Sequence, residues 1–577
     1  MTAKSNIIII GGGLAGLMSA IKVAESGNKV KLFAIHPARR SHSVCAQGGI
    51  NAAKNLKGED DSVWKHFDDT VYSGDFLANQ PPVLKMCEAA PGIIDLTDRM
   101  GVMYNRTPEG LLDFRRFGGT KYHRTAFAGT TTGQQLVYAL DEQVRRFEAA
   151  GLVEKFENWE FLSPVIDDIG TCRGIVAINL YTMELRAFPA DAVIAATGGI
   201  GAIFGKSTNS VVNTGSAVSA FYQAGATYAN PEMVQVHPTA MPGEDKTRLI
   251  SESARGEGGR IWVPKDGKPW YFLEEWYPAY GNLVPRDVAS RAIFKVVYEM
   301  GLGVDGKPVV YLDISRLPKE DLETRLFGIM EIYQTYTGDD PRKVPMQVFP
   351  GVHYNMGGFW VDYDMATNIP GLFAAGEAEY QHHGANRLGA NSLVSCIYDG
   401  MVAGPAAVNY ASGLNTRAED PPASLFDAET KRQSEINSRL MSKDGSENPR
   451  ALYHEMGEVM RENVTVVRYN KKLKATDAKL LELTERYENI GLPDNGQSLV
   501  FARELWNMLV LARVITLAAL ERNESRGAHY KPEYPERNDA EWLKTTKAFH
   551  TPEGPRFEYE PVDVSLIEPR ERHYDLE

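Results

Sequence analysis

Cysteine is scarce in this chain: 577 residues contain four, Cys45, Cys87, Cys172 and Cys396, with no two close together and no CxxC. That excludes a disulfide framework and an iron–sulfur cluster held within the chain. No CxxCH occurs either, so no c-type haem is attached. Few unpaired cysteines fit the cytoplasm. Long apolar runs are also missing. None reaches the ~18 residues of a membrane span, and the opening MTAKSN is not a signal peptide, so any membrane link is expected to come through a partner. Positive charge is in deficit, with Lys+Arg 62 against Asp+Glu 75 and a net charge of -13. This disfavours a general nucleic-acid binder and leaves open a local cationic pocket. Internal repeats and low-complexity segments are absent, and no metal site is expected.

Hydrophobic residues make up 43% of the sequence, enough for large cores. At ~100–200 residues per domain, several domains are expected. The chain opens on Ile7-Ile8-Ile9-Ile10, an apolar β-branched run suited to a buried parallel strand. Gly11-Gly12-Gly13-Leu14-Ala15-Gly16 follows, then an apolar-periodic helix from Leu14 to about Ser26, and a second strand at Val30-Lys31-Leu32-Phe33. This order is the context that a GxGxxG dinucleotide fingerprint requires. Gly11 allows the tight turn, Gly13 lets backbone approach a pyrophosphate, and Gly16 lets helix pack on strand. The pyrophosphate then sits on the helix N-terminus. The second strand ends Phe33-Ala34-Ile35-His36 without the acidic residue that usually binds ribose, which argues against a simple NAD dehydrogenase.

Directly downstream lies Arg39 to Asn51, RRSHSVCAQGGIN. Arg39 and Arg40 bring positive charge, Ser41-His42-Ser43 a polar patch, and Gln47-Gly48-Gly49 an open backbone. This loop is expected over the cofactor, with His42 as its reactive group. Residues 68–106 read as helical, and Val153 to Phe188 as a small antiparallel meander. Ala192 to Gly199 is a second buried strand ending in Thr197-Gly198-Gly199, which returns to the nucleotide. Phe117-Gly118-Gly119 and Gly129 to Gly133 are loops expected to crowd a flavin or substrate. Residues 235–349, richer in Trp, Tyr, Pro and charge, read as an inserted domain, after which Phe373 to Glu377 resumes the first fold. The expected fold class is an α/β Rossmann-like FAD-binding domain (1–234 and 350–423) with an inserted α+β capping domain (235–349), a helical domain (424–526) and an extended C-terminal tail (527–577).

Outside the nucleotide fold, His, Arg and Glu concentrate in five segments: Gln235-Val236-His237-Pro238-Thr239, Ser251 to Gly259, Val284-Pro285-Arg286-Asp287, His353 to Gly358, and His383 to Ser392. Together with SHSVCAQGG, the segments HPT, RGEGG, PRD, HYNMGG and HGANRLGANSL make the chain resemble the flavoprotein subunit of succinate dehydrogenase/fumarate reductase over nearly its full length. The wording around NTGSA and SESARGEGG resembles the branch anchored by a di-haem cytochrome b. Ser216 stands where the usual NTGDG has Asp, a position for which the resemblance implies a flavin contact.

The resemblance implies FAD bonded covalently to His42, raising its potential enough to oxidise succinate. It implies cofactor contacts from Gly11, Gly13, Gly16, Ser41, Gln47, Gly48, Gly49, Thr197, Gly198, Gly199, Ser392 and Leu393, with Glu377 at the ribityl or ribose end. His237, Ser251 and Glu252 would gather around one carboxylate of a dicarboxylate, His353 and Arg387 around the other, with Phe117 against flavin and substrate. A dianion needs such cations and donors at both ends. Arg286 would transfer the proton while flavin N5 transfers hydride, with Glu252 and Arg255 as its relay. A free guanidinium, with a pKa above ~12, hardly releases a proton. Near-concerted transfer and reprotonation through the relay answer that objection. An L-aspartate oxidase shares most of these motifs but lacks the flavin-linking His. Because the chain holds no clusters and no membrane span, an iron–sulfur subunit and a cytochrome b membrane anchor are expected, with quinone reached only through them. The expected location is the cytoplasmic face of the membrane, held peripherally by these partners.

Overall fold

The computed structural model describes residues 5–574; residues 1–4, most of the MTAKSN segment, and 575–577 lie outside it. At the centre is a five-stranded parallel sheet in the order Leu372–Ala374, Ala192–Ala195, Asn6–Ile10, Lys29–Ala34, Val153–Glu157. Ile7, Ile8 and Ile9 are fully buried, as a parallel strand covered on both faces demands. Helix Leu14–Glu25 packs against Asn391–Ser412. Gly400 and Gly404 allow the close approach: a Cβ on Gly400 would come 2.7 Å from the Ala15 carbonyl oxygen.

The expected meander divides in two. Val153–Glu157 joins the parallel sheet beside Lys29–Ala34, and Phe156 stacks on Phe33 at 4.6 Å. Only Trp159–Ile166, Cys172–Asn179 and Leu185–Pro189 form the antiparallel meander. Alternating apolar residues suit either kind of strand when one face is open, so the pattern alone did not separate them.

Between Ala192–Ala195 and Leu372–Ala374 of the parallel sheet, the chain builds a six-stranded antiparallel sheet. Its order is Arg248–Leu249, Val234–Met241, Met346–Asn355, Val310–Asp313, Arg260–Lys265, Lys268–Trp270. It has its own core, including Ile261, Val263, Phe272, Ile293, Leu312 and Met346. Its long strands Val234–Met241 and Met346–Asn355 run back to the parallel sheet and carry Gln235, His237 and His353. Four helices follow, Ala423–Met441, Pro449–Asn463, Asn470–Tyr487 and Gln497–Glu521. The tail contains a hairpin, Lys544–Thr551 with Gly554–Pro561, that pairs with Tyr228–Ala229. It then runs extended to Tyr574, where Arg572 meets Asp287 at 2.9 Å.

Candidate active site

One cleft of about 440 Å³ lies where the two sheets meet, lined from Gly11 at one end to His237, Arg286 and Arg387 at the other. Its size falls within the ~300–1,000 Å³ usual for small-molecule sites. At the first end, Gly11 has a positive φ of 118°, and a Cβ there would collide with the Ala196 carbonyl oxygen. Gly11, Gly13, Leu14 and Ala15 form the wall. Helix Leu14–Glu25 starts here without a cap from its own N-cap residue, Gly13; the Leu14 N–H donates to Ser43 Oγ at 3.4 Å, and the helix N-terminus faces the cleft as an anion site. A second helix, Asn391–Ser412, also begins uncapped at the cleft and presents Ser392 and Leu393. Ser41 Oγ, Gln47 Oε1 and Thr197 Oγ1 are buried with no hydrogen-bond partner among the described residues. Buried polar atoms are almost always paired. The glycine cradle, the helix N-termini and these free polar atoms together fit a dinucleotide cofactor.

Ser41, His42, Gln47, Gly48, Gly49, Gly198 and Glu377 line the same cleft. Gly16 and Gly199 stand behind it. A Cβ on Gly16 would strike the Gly11 carbonyl oxygen, and one on Gly199 the Glu377 carboxylate. Burial pushes the Glu377 carboxyl up to about 7, against the Asn355 N–H bond and the Arg387 charge. His42 opens a short turn, His42–Cys45. Burial and then the Lys246 ammonium push its pKa down to about 4, so the ring is neutral and nucleophilic. Ser216 is not at the cleft. Its hydroxyl accepts a hydrogen bond from Asn507 Nδ2 at 2.8 Å in the helix Gln497–Glu521.

At the other end, Phe117 backs Gly48, and His237, Ser251, Glu252, Arg286, His353 and Arg387 converge. The backbone N–H of Thr239 donates to His237 Nδ1 at 3.2 Å. The proton of the neutral ring is therefore on Nε2, which is buried and has no partner among the described residues. Burial, with Arg286 next, holds His237 and His353 well below the ordinary imidazole range. Arg387 is 2% exposed, and burial pushes it down to about 9. Among the described residues it has no carboxylate ion-pair partner, and its Nε is unpaired. A buried cation without a counter-ion is costly, so this end is built for an anion.

Arg286 starts the helix Arg286–Phe294. Its Nε and Nη2 donate to Glu252 Oε2 at 3.1 and 2.9 Å, and Nη1 to Gln235 Oε1 at 2.8 Å. The other Glu252 oxygen accepts from Arg255 Nη2. Burial opposes ionisation of Glu252, but Arg286 and Arg255 outweigh it and hold the carboxyl below its ordinary value. Both Glu252 oxygens are therefore occupied by guanidinium partners. Arg255 does not line the cleft; it stands behind Glu252 and donates to Asn282 O at 2.6 Å.

Sequence reasoning assigned no role to several residues of the wall: Thr208, Lys246 and Thr247, nor to Gln235 and Asn209 behind it. Gln235 had a usable signal, because it precedes His237 by two on one strand, and that spacing puts both side chains on one face. The others lie in irregular loops without a motif.

Fold and cleft define the class: an FAD-dependent oxidoreductase. Family comparisons agree. Residues 6–393 match the FAD binding domain and residues 453–574 the fumarate reductase flavoprotein C-terminal domain. The chain is 66% identical to the succinate dehydrogenase flavoprotein subunit of Bacillus subtilis (strain 168), over 99% of each chain. It is 36% identical to the fumarate reductase flavoprotein subunit of Haemophilus influenzae, over 100% of this chain and 97% of that one. Among solved structures, a mutant of the FrdA subunit of E. coli quinol fumarate reductase superposes with TM-score 0.93 at 33% identity, covering 100% of both chains. Mycobacterium smegmatis Sdh1 gives TM-score 0.85 at 30% identity, over 98% and 95%. The chain belongs to the succinate dehydrogenase/fumarate reductase flavoprotein family.

Proposed function

We propose that this chain interconverts succinate and fumarate at an FAD bonded to His42. The observation that carries the reading is the pair of buried guanidiniums at one end of the cleft. Arg286 is neutralised by Glu252, while Arg387 has no carboxylate ion-pair partner among the described residues. Bound FAD supplies the hydride acceptor or donor. Gly11, Gly13, Gly16, Ser41, Gln47, Gly48, Gly49, Thr197, Gly198, Gly199, Glu377, Ser392 and Leu393 hold or shape its seat.

Arg387 and His353 bind one carboxylate of the dianion; the Nε2–H of His237 and the Ser251 hydroxyl bind the other. Arg286 stands between, held on two sides by Glu252 and Gln235. That fixed guanidinium delivers the proton to fumarate, or takes it from succinate, and Glu252 and Arg255 restore it. The segment 235–349 acts as a cap that brings Arg286 and Ser251 to Arg387, closing the site against water.

Among the described residues no helix is long and apolar enough to cross a membrane, and the four cysteines of the chain are scattered with no CxxC. It works with an iron–sulfur subunit and a membrane anchor, and we assign the anchor to the di-haem cytochrome b type and the chain to the cytoplasmic face. Comparing succinate:quinone with quinol:fumarate rates in the assembled complex tests this reading. Neither activity would defeat it.

A further inference from the structure

Beyond the residues that touch substrate, the turn Ser207–Ser210 joins the two ends of the cleft through His42. The Ser210 backbone N–H donates to His42 Nδ1 at 3.1 Å. Asn209 Nδ2 donates to the His353 carbonyl at 2.9 Å and lies 3.2 Å from His42 Nε2. Lys246 Nζ donates to the Asn209 carbonyl at 2.7 Å. Asn209 is 3% exposed, and its bond to the His353 carbonyl sets which end of the amide is the nitrogen.

These bonds decide the state of the ring. The Ser210 N–H fixes the lone pair on Nδ1, so the single proton of the neutral imidazole is on Nε2. The His353 carbonyl fixes the nitrogen end of Asn209 toward that same Nε2. In the free ring, two N–H groups therefore face each other, an unfavourable contact that disappears when Nε2 loses its proton. The ammonium of Lys246 next to the ring acts in the same direction, because it opposes the imidazolium.

The geometry points to Asn209 and Lys246 as positioning residues for covalent attachment of the flavin to His42; this rests on the flavin-linked reading given above. Attachment breaks the Nε2–H bond and one C–H bond of the flavin 8α-methyl and forms the N–C bond. Both hydrogens and two electrons end on the isoalloxazine, and the chain's own electron-transfer reaction reoxidises it. Asn209 and Lys246 touch no reacting carbon. They orient the ring and leave Nε2 as the atom that gives up its proton.

The test compares Asn209→Ala, Lys246→Met and Lys246→Arg with the wild-type full chain. Total bound flavin is read by absorbance, and covalent flavin by fluorescence of the denatured chain. Misplacing a reacting group by about an ångström costs up to ~10²-fold in rate. The expected result is near-normal total flavin in Asn209→Ala and Lys246→Met with a covalent fraction at least ~10-fold lower after equal incubation with FAD. Lys246→Arg should restore most of it. A wild-type covalent fraction in both loss variants would overturn the assignment. So would a parallel fall of total and covalent flavin, because the turn would then only shape the pocket. Lys246→Met leaves every side chain of the turn in place and serves where Asn209→Ala does not fold. Absence of covalent flavin from the wild-type chain would instead sink the parent reading.

Discussion

Arg286→Lys separates chemistry from binding. The wild-type guanidinium makes three hydrogen bonds, two to Glu252 and one to Gln235. A lysine has one nitrogen at the end of a shorter reach, so it keeps the charge and the Glu252 pair but cannot also reach Gln235. An unsatisfied buried acceptor costs about 1–3 kcal/mol, which should appear as a modest loss of thermal stability. Substrate binding should hold within about tenfold, because Arg387, His237 and His353 remain and the net charge is unchanged. Turnover should fall at least ~10²-fold, since a general acid contributes ~10²–10⁴. A hundredfold loss corresponds to about 2.7 kcal/mol in the transition state alone. The assays are fumarate reduction by a reduced dye for kcat, and perturbation of the flavin spectrum by malonate for Kd. Arg387→Lys is the control and should show the larger loss of binding. Near-normal kcat with a raised KM in Arg286→Lys would refute the proton-transfer role, because loss of a uniform clamp has that signature.

Three further outcomes are expected. His42→Ser should bind FAD without a covalent bond, keep part of fumarate reduction and lose most succinate oxidation; retained fluorescence on the denatured variant would refute His42 as the attachment point. Adding malonate should slow hydrogen exchange near Gln235 and Gly351, which lie on the paired strands Val234–Met241 and Met346–Asn355 at the ends of the proposed capping segment, and unchanged exchange would count against closure. Burial raises the folded pKa of Glu377 to about 7 from its ordinary 4.5. The folded chain therefore binds the extra proton across that window, and stability of the flavin-free chain should fall as pH rises through it. Glu377→Gln should flatten this slope in thermal unfolding, and an unchanged slope would assign it to other groups.

Much of this was legible in the sequence because it is local. The four isoleucines Ile7–Ile10, the glycines that follow and the helix from Leu14 are contiguous, and each follows from burial or backbone clearance. The His, Arg and Glu segments were visible as unusual concentrations, and resemblance to a family arranged them. Hidden were facts that depend on long-range packing. Val153–Glu157 looks like part of a meander until Phe156 is seen against Phe33. Ser216 sits in a flavin-contact motif but turns to Asn507, nearly three hundred residues away. Asn209 and Lys246 lie in loops without pattern, and only the fold brings both to His42. The tail gave no hint in its composition that Arg572 would reach Asp287, the neighbour of Arg286.

The central claim is that this cleft oxidises succinate at a flavin bonded to the chain. It is tested most directly by adding succinate anaerobically to the assembled complex and following the flavin absorbance, then denaturing the same sample. The account predicts bleaching by succinate, its block by malonate, and flavin fluorescence that stays with the denatured chain. A flavin that bleaches with dithionite but not with succinate would contradict it.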